Sequence, residues 1–238
     1  MKEPTVRLKA LIDWLAYAGI RIFICVIQAL PLELCHNLAK GLAVVATDVV
    51  KLRYKVVDDN LKHAFPGYTP ADRRQFARRM WEHLFLMVVE VAQARRKIHE
   101  TSFNRYVTFS QKRLLVRYLL DPRPTVVVTG HYGNFEVGGY VLGLFGFPTF
   151  TIARKLDNPY LDRFLNQFRG STGQYILPKK GCAPQVQAIL ESGGTLSLLG
   201  DQHAGNNGCW VQFMGRPASC HKAVALFTLS SGAPQLVS

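Results

Sequence analysis

Acidic residues are scarce in this chain. Only 16 Asp and Glu stand against 29 Lys and Arg, a formal charge of +13 over 238 residues. Such a surplus calls for an anionic partner: nucleic acid, an anionic membrane surface or an acidic carrier protein. Paired cysteines are also missing. Cys25, Cys35, Cys182, Cys209 and Cys220 are odd in number and contain no Cys-x-x-Cys. Scattered through apolar stretches, they read as buried free thiols in a reducing compartment. Cys209, His203 and His221 match no zinc-ligand spacing, so no metal is expected. There is no internal repeat, no low-complexity segment and no small-residue cleavage site after a clean apolar run, so no signal peptide is read. The length suits one large domain, with or without an N-terminal attachment element.

Apolar residues are plentiful, at 48%. Ala10 to Leu30 is mostly apolar but carries Asp13, Arg21 and Gln28. A charge at mid-bilayer costs about 2.5–3.5 kcal/mol, which argues against a comfortable lone span. Three readings stay open on physics alone. The segment is a poor transmembrane helix, an interfacial helix with Arg21 snorkelling to headgroups, or an ordinary core helix. Pro31 separates it from a second apolar helix over 34–50. The basic run 51–55 and a short helix over 56–64 follow. Thr69 as N-cap, Pro70 at the first helical position and Asp72 in an approximate capping box then start a long helix that reaches about Arg96. Its stripe of Phe76, Met80, Leu84, Met87 and Val91 is expected in the core. Arg73, Arg74, Arg78 and Arg79 are expected on a solvated face.

From residue 106 onward strands and helices alternate. Strands are predicted near 106–109, 125–129, 149–153, 174–177, 195–199 and 234–237. Helices are predicted near 111–120, 135–145, 159–170, 183–192 and 219–231. Alternation at these lengths implies an α/β fold: a mostly parallel sheet with helices on both faces, preceded by an N-terminal helical region. The expected division is an N-terminal apolar helical region over 1–50 and an α/β domain over 51–238. In such sheets the site lies beyond the carboxyl ends of the strands. His131, Arg154 and Asp201 each follow a predicted strand.

The chemistry concentrates in Thr-Gly-His131-Tyr-Gly-Asn-Phe-Glu136, directly after an apolar β-branched run. Gly130 and Gly133 permit a tight turn, and Asn134 suits a helix N-cap. Five steps along one helix would rotate Glu136 off the face of His131. The two meet only with His131 on the turn and Glu136 in the first helical turn. His131 then reads as a general base whose tautomer Glu136 holds.

That spacing resembles the His-x4-acid signature of glycerolipid-type acyltransferases, and further segments narrow the resemblance. Arg154 in Ala-Arg-Lys-Leu-Asp-Asn-Pro, Arg169 in Gln-Phe-Arg-Gly and Asp201-Gln202 in Leu-Leu-Gly-Asp-Gln stand in the order seen in the lipid A biosynthesis (lauroyl/myristoyl) acyltransferases. These belong to the lysophospholipid acyltransferase-like superfamily. Asn60-Leu-Lys-His-Ala-Phe-Pro66 resembles that family's N-L-x-x-x-F-P segment. Val211-Gln-Phe-Met-Gly-Arg-Pro-Ala218 resembles its V-P-F-F-G-x-P-A stretch, with Gln212 and Met214 as departures. The likeness runs from about Ala10 to the end. Family members usually continue past the last strand, which implies a truncated product.

The resemblance implies transfer of a fatty acyl group from acyl carrier protein or acyl-CoA to a hydroxyl of a lipid A precursor or related glycolipid. A lysophospholipid or other membrane-lipid acceptor is the alternative. It implies no cofactor, and a location on the cytoplasmic face of the inner membrane, with 1–50 as a membrane-associating attachment region and 51–238 as the acyltransferase domain. His131 and Glu136 would form the catalytic dyad. Arg169 would stabilise an oxyanion or grip a phosphate. Asp201 would position the site, bonding Arg169. Arg154 and Gln202 would bind substrate. The apolar loop 208–215 is expected as part of an acyl groove, a membrane-dipping loop or a hairpin packed on the core. Lys179 and Lys180 are candidate docking residues. No nucleic-acid partner is expected, since no aromatic–basic RNA signature is present. A basic nucleic-acid-binding domain and an inactive lipid-binding scaffold remain the rival classes.

Overall fold

The computed structural model describes residues 4–237. Residues 1–3 and 238, the outer ends of the two expected regions, lie outside the described residues. Helix α1 (Pro4–Ala29) and helix α2 (Leu32–Val44) flank Pro31, and α2 runs on into a π-helical turn, Val45–Val49. Helix α3 (Tyr54–Ala64) leads to the long helix α4 (Pro70–Lys97). The predicted capping box is complete: the Asp72 N–H donates to Thr69 Oγ1 at 3.2 Å, and the Thr69 N–H donates to Asp72 Oδ2 at 2.9 Å.

The faces of α4 differ from the expected ones. Its buried positions include Arg73, Ala77, Val89, Ala92 and Ala94, while Phe76 and Leu84 are partly exposed. Small residues bring α2 close, while Met80, Met87 and Val91 of the expected stripe are half-buried and Val91 packs on the Tyr140 cluster. Three of the four arginines are not a free solvated face, while Arg79 stays exposed with no ion-pair partner among the described residues. Arg73 pairs with Asp58 of α3 at 2.6 Å, and Arg74 and Arg78 both hold Asp48 in the π-turn. They clamp helix to helix because the neighbouring elements bring carboxylates within reach.

Helix α5 (Lys112–Leu119) precedes strand β1 (Thr125–Thr129). Then follow α6 (Phe135–Leu144), β2 (Thr149–Ala153), α7 (Pro159–Gly170), β3 (Gln174–Pro178), α8 (Ala183–Glu191) and β4 (Thr195–Leu199). The hairpin β5 (Cys209–Phe213) and β6 (Arg216–Cys220), helix α9 (Ala223–Ser231) and strand β7 (Gln235–Val237) complete the described order. The five-stranded sheet has the order β3-β2-β4-β1-β7, with every pairing parallel. Its register sets Thr125 of β1 against Thr195 of β4, and Thr195 against Thr149 of β2.

Alternate strand residues serve opposite faces. Val126, Leu196 and Leu198 pack on Cys182, Val186 and Leu190 of α8, with Val224 and Phe227 of α9 beside them. Truncating the fully buried Leu196 to Ala should cost about 2–5 kcal/mol. The other face meets α6, whose Tyr140 and Val141 join Phe168 of α7 and Ala94 and Ile98 of α4 in a second cluster. A Cβ on Gly143 would collide with the Thr172 backbone carbonyl, so glycine there sets how closely α6 approaches the β3 approach loop.

Two sequence expectations need correction here. Residues 106–109 are not a strand: after a short 3-10 turn, Phe103–Arg105, they form a loop whose Val107 and Phe109 pack on the helical cluster. Apolar alternation there serves a helix face, not a ladder. The helix predicted over 219–231 begins only at Ala223, because 216–220 pair with β5. Met214 and Gly215 both have positive φ, 48° and 75°, which closes a two-residue hairpin turn of the primed kind. The hairpin does not pack on the core. All five residues of β5 are exposed.

Helix α1 carries its apolar stripe outward. Leu8, Leu11, Ile12, Leu15, Ile22 and Val26 are exposed at helical spacing. The opposite stripe meets the protein: Asn158 donates to the Asp13 carbonyl at 2.8 Å, Tyr17 stacks on Tyr160, and Ile27 is buried with Val89 and Ala92 of α4. Arg21 lies 4.9 Å over the Phe164 ring and donates to the Tyr17 hydroxyl, so its charge is met within the protein. The stretch Arg7–Ala29 is long and apolar enough to cross a membrane. Cys25 and Cys209 are exposed, against the expectation of buried thiols, while Cys35 and Cys182 are buried. Cys25 faces outward with the α1 stripe, and Cys209 lies on the uncovered hairpin.

Candidate active site

Strand β4 lies between β1 and β2, and this places Asp201 beside His131 across 70 residues of sequence. Asp201 Oδ2 accepts the His131 backbone N–H at 2.6 Å, and Oδ1 sits 2.8 Å from His131 Nδ1. Gly130 makes the approach possible, since a Cβ there would lie 2.9 Å from Asp201 Oδ2. Burial raises the Asp201 carboxyl, but hydrogen bonds from the His131 ring and backbone outweigh it. The group stays below the ordinary carboxylate value. An ionised Asp201 is acceptor-only, so Nδ1 carries the imidazole proton and Nε2 presents a lone pair. The Gln202 side-chain amide meets that lone pair at 3.2 Å. Phe135 holds the ring edge, with centroids 4.9 Å apart.

Glu136 has a different partner. In the first turn of α6 it receives Arg169 in a two-pronged pair: Nε donates to Oε2 at 2.9 Å, and Nη2 donates to Oε1. Both side chains are largely buried, at 12% and 15% exposure. No hydrogen bond joins His131 to Glu136 among the described residues. The expected exchange of partners is thus reversed: Asp201 holds His131, and Arg169 holds Glu136. The physical reason is the turn. His131 leaves the end of β1 facing β4, whereas Glu136 enters α6 facing the last turn of α7.

Asn134 caps α6, accepting from the Val137 N–H at 3.2 Å. Its amide donates to the Met87 carbonyl and, at 2.7 Å, to Glu90 of α4. Glu90 escaped the sequence reading. An acid on a long helix carries no local signal that it braces a loop 44 residues away. Gly130 had a signal as a turn former, but its steric role depends on Asp201.

A cavity of about 1180 Å³ opens at this edge of the sheet. His131, Glu136, Arg169, Arg154 and Gln202 all line it. Apolar walls come from Leu114, Leu115 and Leu142. Arg154 is mostly exposed at the end of β2, and its ion-pair partner is the equally exposed Asp157. Lys179 follows β3 along the same rim. The six sequence candidates thus share one cavity edge, except Asp201, which stands behind the ring it supports. The arrangement supplies an oriented base, a guanidinium and an apolar recess.

The family model described as bacterial lipid A biosynthesis acyltransferase matches residues 1–237. The lipid A biosynthesis lauroyltransferase of Escherichia coli (strain K12) is 24% identical over 180 residues, covering 74% of this chain. The chain spans 56% of that relative's length. With the parallel sheet, its His131 edge and a match over nearly the whole chain, the protein belongs to the bacterial lipid A biosynthesis acyltransferase family.

Proposed function

We propose that the protein transfers a fatty acyl group from a thioester, carried by acyl carrier protein or coenzyme A, to a hydroxyl of a lipid A precursor or related glycolipid. The observation that carries this reading is the His131 ring, fixed by Asp201 with Nε2 toward the cavity. The acceptor hydroxyl displaces the Gln202 amide and gives its proton to Nε2 as its oxygen attacks the thioester carbonyl. Asp201 stabilises the imidazolium. The tetrahedral intermediate then expels the thiolate, which takes the proton from Nε2, leaving an ester and a free thiol. No acyl-enzyme is needed.

Arg169 spends Nε and Nη2 on Glu136, and Nη1 has no protein partner among the described residues. That remaining donor suits the developing oxyanion or a phosphate of the substrate. Glu136 keeps the guanidinium in place. Arg154 and Lys179 on the rim suit the phosphates of the acceptor or of the carrier's prosthetic arm. The acyl chain occupies the apolar recess beside Leu114, Leu115 and Leu142.

Helix α1 attaches the protein to the inner membrane from the cytoplasmic side. Its flank is bonded to α7 and α4 from Asp13 to Gln28, so an in-plane, half-immersed position fits better than a free span. The test is acyl transfer from radiolabelled acyl carrier protein, and separately from labelled acyl-CoA, into a lipid extract. A labelled lipid formed by the wild type and lost in His131→Ala supports the reading. No labelled lipid from the folded, vesicle-bound chain with either donor overturns it.

A further inference from the structure

Beyond α1, the turn between α2 and α3 presents a second apolar surface. Val49 and Val50 are 72% and 62% exposed, and Leu52, Tyr54 and Val56 are also exposed. Basic residues alternate with them: Lys51, Arg53 and Lys55, all exposed. The nearby carboxylates are already committed. Asp48 is held by Arg74 and Arg78, Asp58 by Arg73 and Lys62, and Asp59 by Arg216. Lys51, Arg53 and Lys55 have no ion-pair partner among the described residues, so their charge is turned outward. Lys51 and Arg53 both adopt left-handed backbone, φ 52° each, directly after the π-turn. Such conformations cost free energy, persist only where surrounding structure imposes them, and gather at functional sites.

Helix α4 links this surface to the site. Arg78 grips Asp48 at its base, and twelve residues further along α4 Glu90 braces Asn134. At 1.5 Å per residue these points are about 18 Å apart. The hairpin that follows Gln202 reaches the same region, where Arg216 meets Asp59 of α3 at 3.4 Å. Its turn adds exposed Phe213 and Met214.

We propose that the α2–α3 turn and the β5–β6 hairpin tip form a second membrane contact, which takes an anionic lipid surface. Large apolar side chains alternating with unneutralised cations are the composition of interfacial segments: the former enter the headgroup boundary and the latter meet phosphates. An acidic protein would be met by the cations alone and would leave five bulky apolar groups without a role. One helix lets the body pivot on the bilayer. A second contact fixes the His131 edge toward the lipids. The inference rests on the proposed membrane-lipid acceptor for its purpose, and its test uses no acyl transfer.

Nitroxides are placed by Leu15→Cys, Leu52→Cys, Phe213→Cys and, as a control on α5, Lys112→Cys, in the full chain with Cys25, Cys209 and Cys220 changed to serine. Collision with oxygen and with a water-soluble nickel complex reports depth in phosphatidylcholine vesicles with and without phosphatidylglycerol. Labels at 52 and 213 should enter the interface of the anionic vesicles while the label at 112 stays in water. Changing Lys51, Arg53 and Lys55 together to glutamine should lower the anionic-to-neutral partition ratio by about 100-fold, with an unchanged circular dichroism spectrum. A buried label at 15 with watery labels at 52 and 213 overturns the second contact and leaves the α1 attachment standing. Watery labels at all positions overturn both. Protection of 52 and 213 by acidic carrier protein, but not by vesicles, overturns the lipid assignment in favour of a protein dock.

Discussion

The loop from β1 to α6 has two ends, and each end meets a counter-charge of a different kind. At its start, half-exposed His131 is held by half-exposed Asp201, with side-chain exposures of 37% and 46%. At its finish, Glu136 and Arg169 are nearly enclosed. The open pair keeps a ring nitrogen available to a substrate. The enclosed pair spends most of its hydrogen bonds on itself and fixes the shape of the wall. A spacing of five residues thus serves two separate tasks, which a single-dyad reading would merge.

The comparison breaks most sharply at the base. His131→Ala should lower kcat by about 10⁴-fold and leave the melting temperature near that of the wild type, read by steady-state acyl transfer and calorimetry. A similar loss of activity accompanied by unfolding would make the open end structural as well. The enclosed end should respond in the opposite manner. Arg169→Ala leaves a buried carboxylate without its partner and should destabilise the fold by about 3 kcal/mol in urea unfolding. The double change Glu136→Leu, Arg169→Met should recover most of that stability but not activity.

Asp201→Asn sharpens the contrast between holding and reacting. An amide at this position no longer demands the Nδ1–H tautomer, and kcat should fall by about 10²- to 10⁴-fold, or about 2.7–5.4 kcal/mol in barrier height. The smallest effect is on acid stability. Asp201 has a lowered carboxyl in the folded state, so the unfolded chain binds the proton more readily. Its contribution is full above the ordinary carboxylate value and is lost as the pH falls through the lower folded value. The melting temperature of the wild type should drop more steeply through that window than that of Asp201→Asn. Parallel curves would show that the open pair adds nothing to stability.

Strands β1, β2 and β4 were legible to the residue, since short, largely apolar runs bounded by glycine, proline and polar turns read as buried parallel strands. So were the cap and proline at the start of α4. Partner choice was not legible. Local spacing placed Glu136 near His131, while the order β3-β2-β4-β1-β7, which brings Asp201 there, has no local signature. The hairpin was one of three readings of 208–215, and its place off the core was not legible: β5 is exposed throughout, so it lacks the alternation that burial imposes. Gly215, at positive φ beside Met214, closes its turn. Residues 106–109 show the converse error, alternation that served helices.

The insertion of β4 between its older neighbours also sets an order of events during synthesis. When β1, α6, β2 and β3 have left the ribosome, β1 and β2 have no common edge, because the strand that joins them is still to come. The gap closes only with residues 195–199, and His131 acquires its carboxylate only with Asp201. Long-range parallel pairing is slow, and its unpaired edges are exposed in the meantime. A nascent chain therefore carries an unsupported base until β4 and Asp201 arrive, and β7 adds the last edge afterwards.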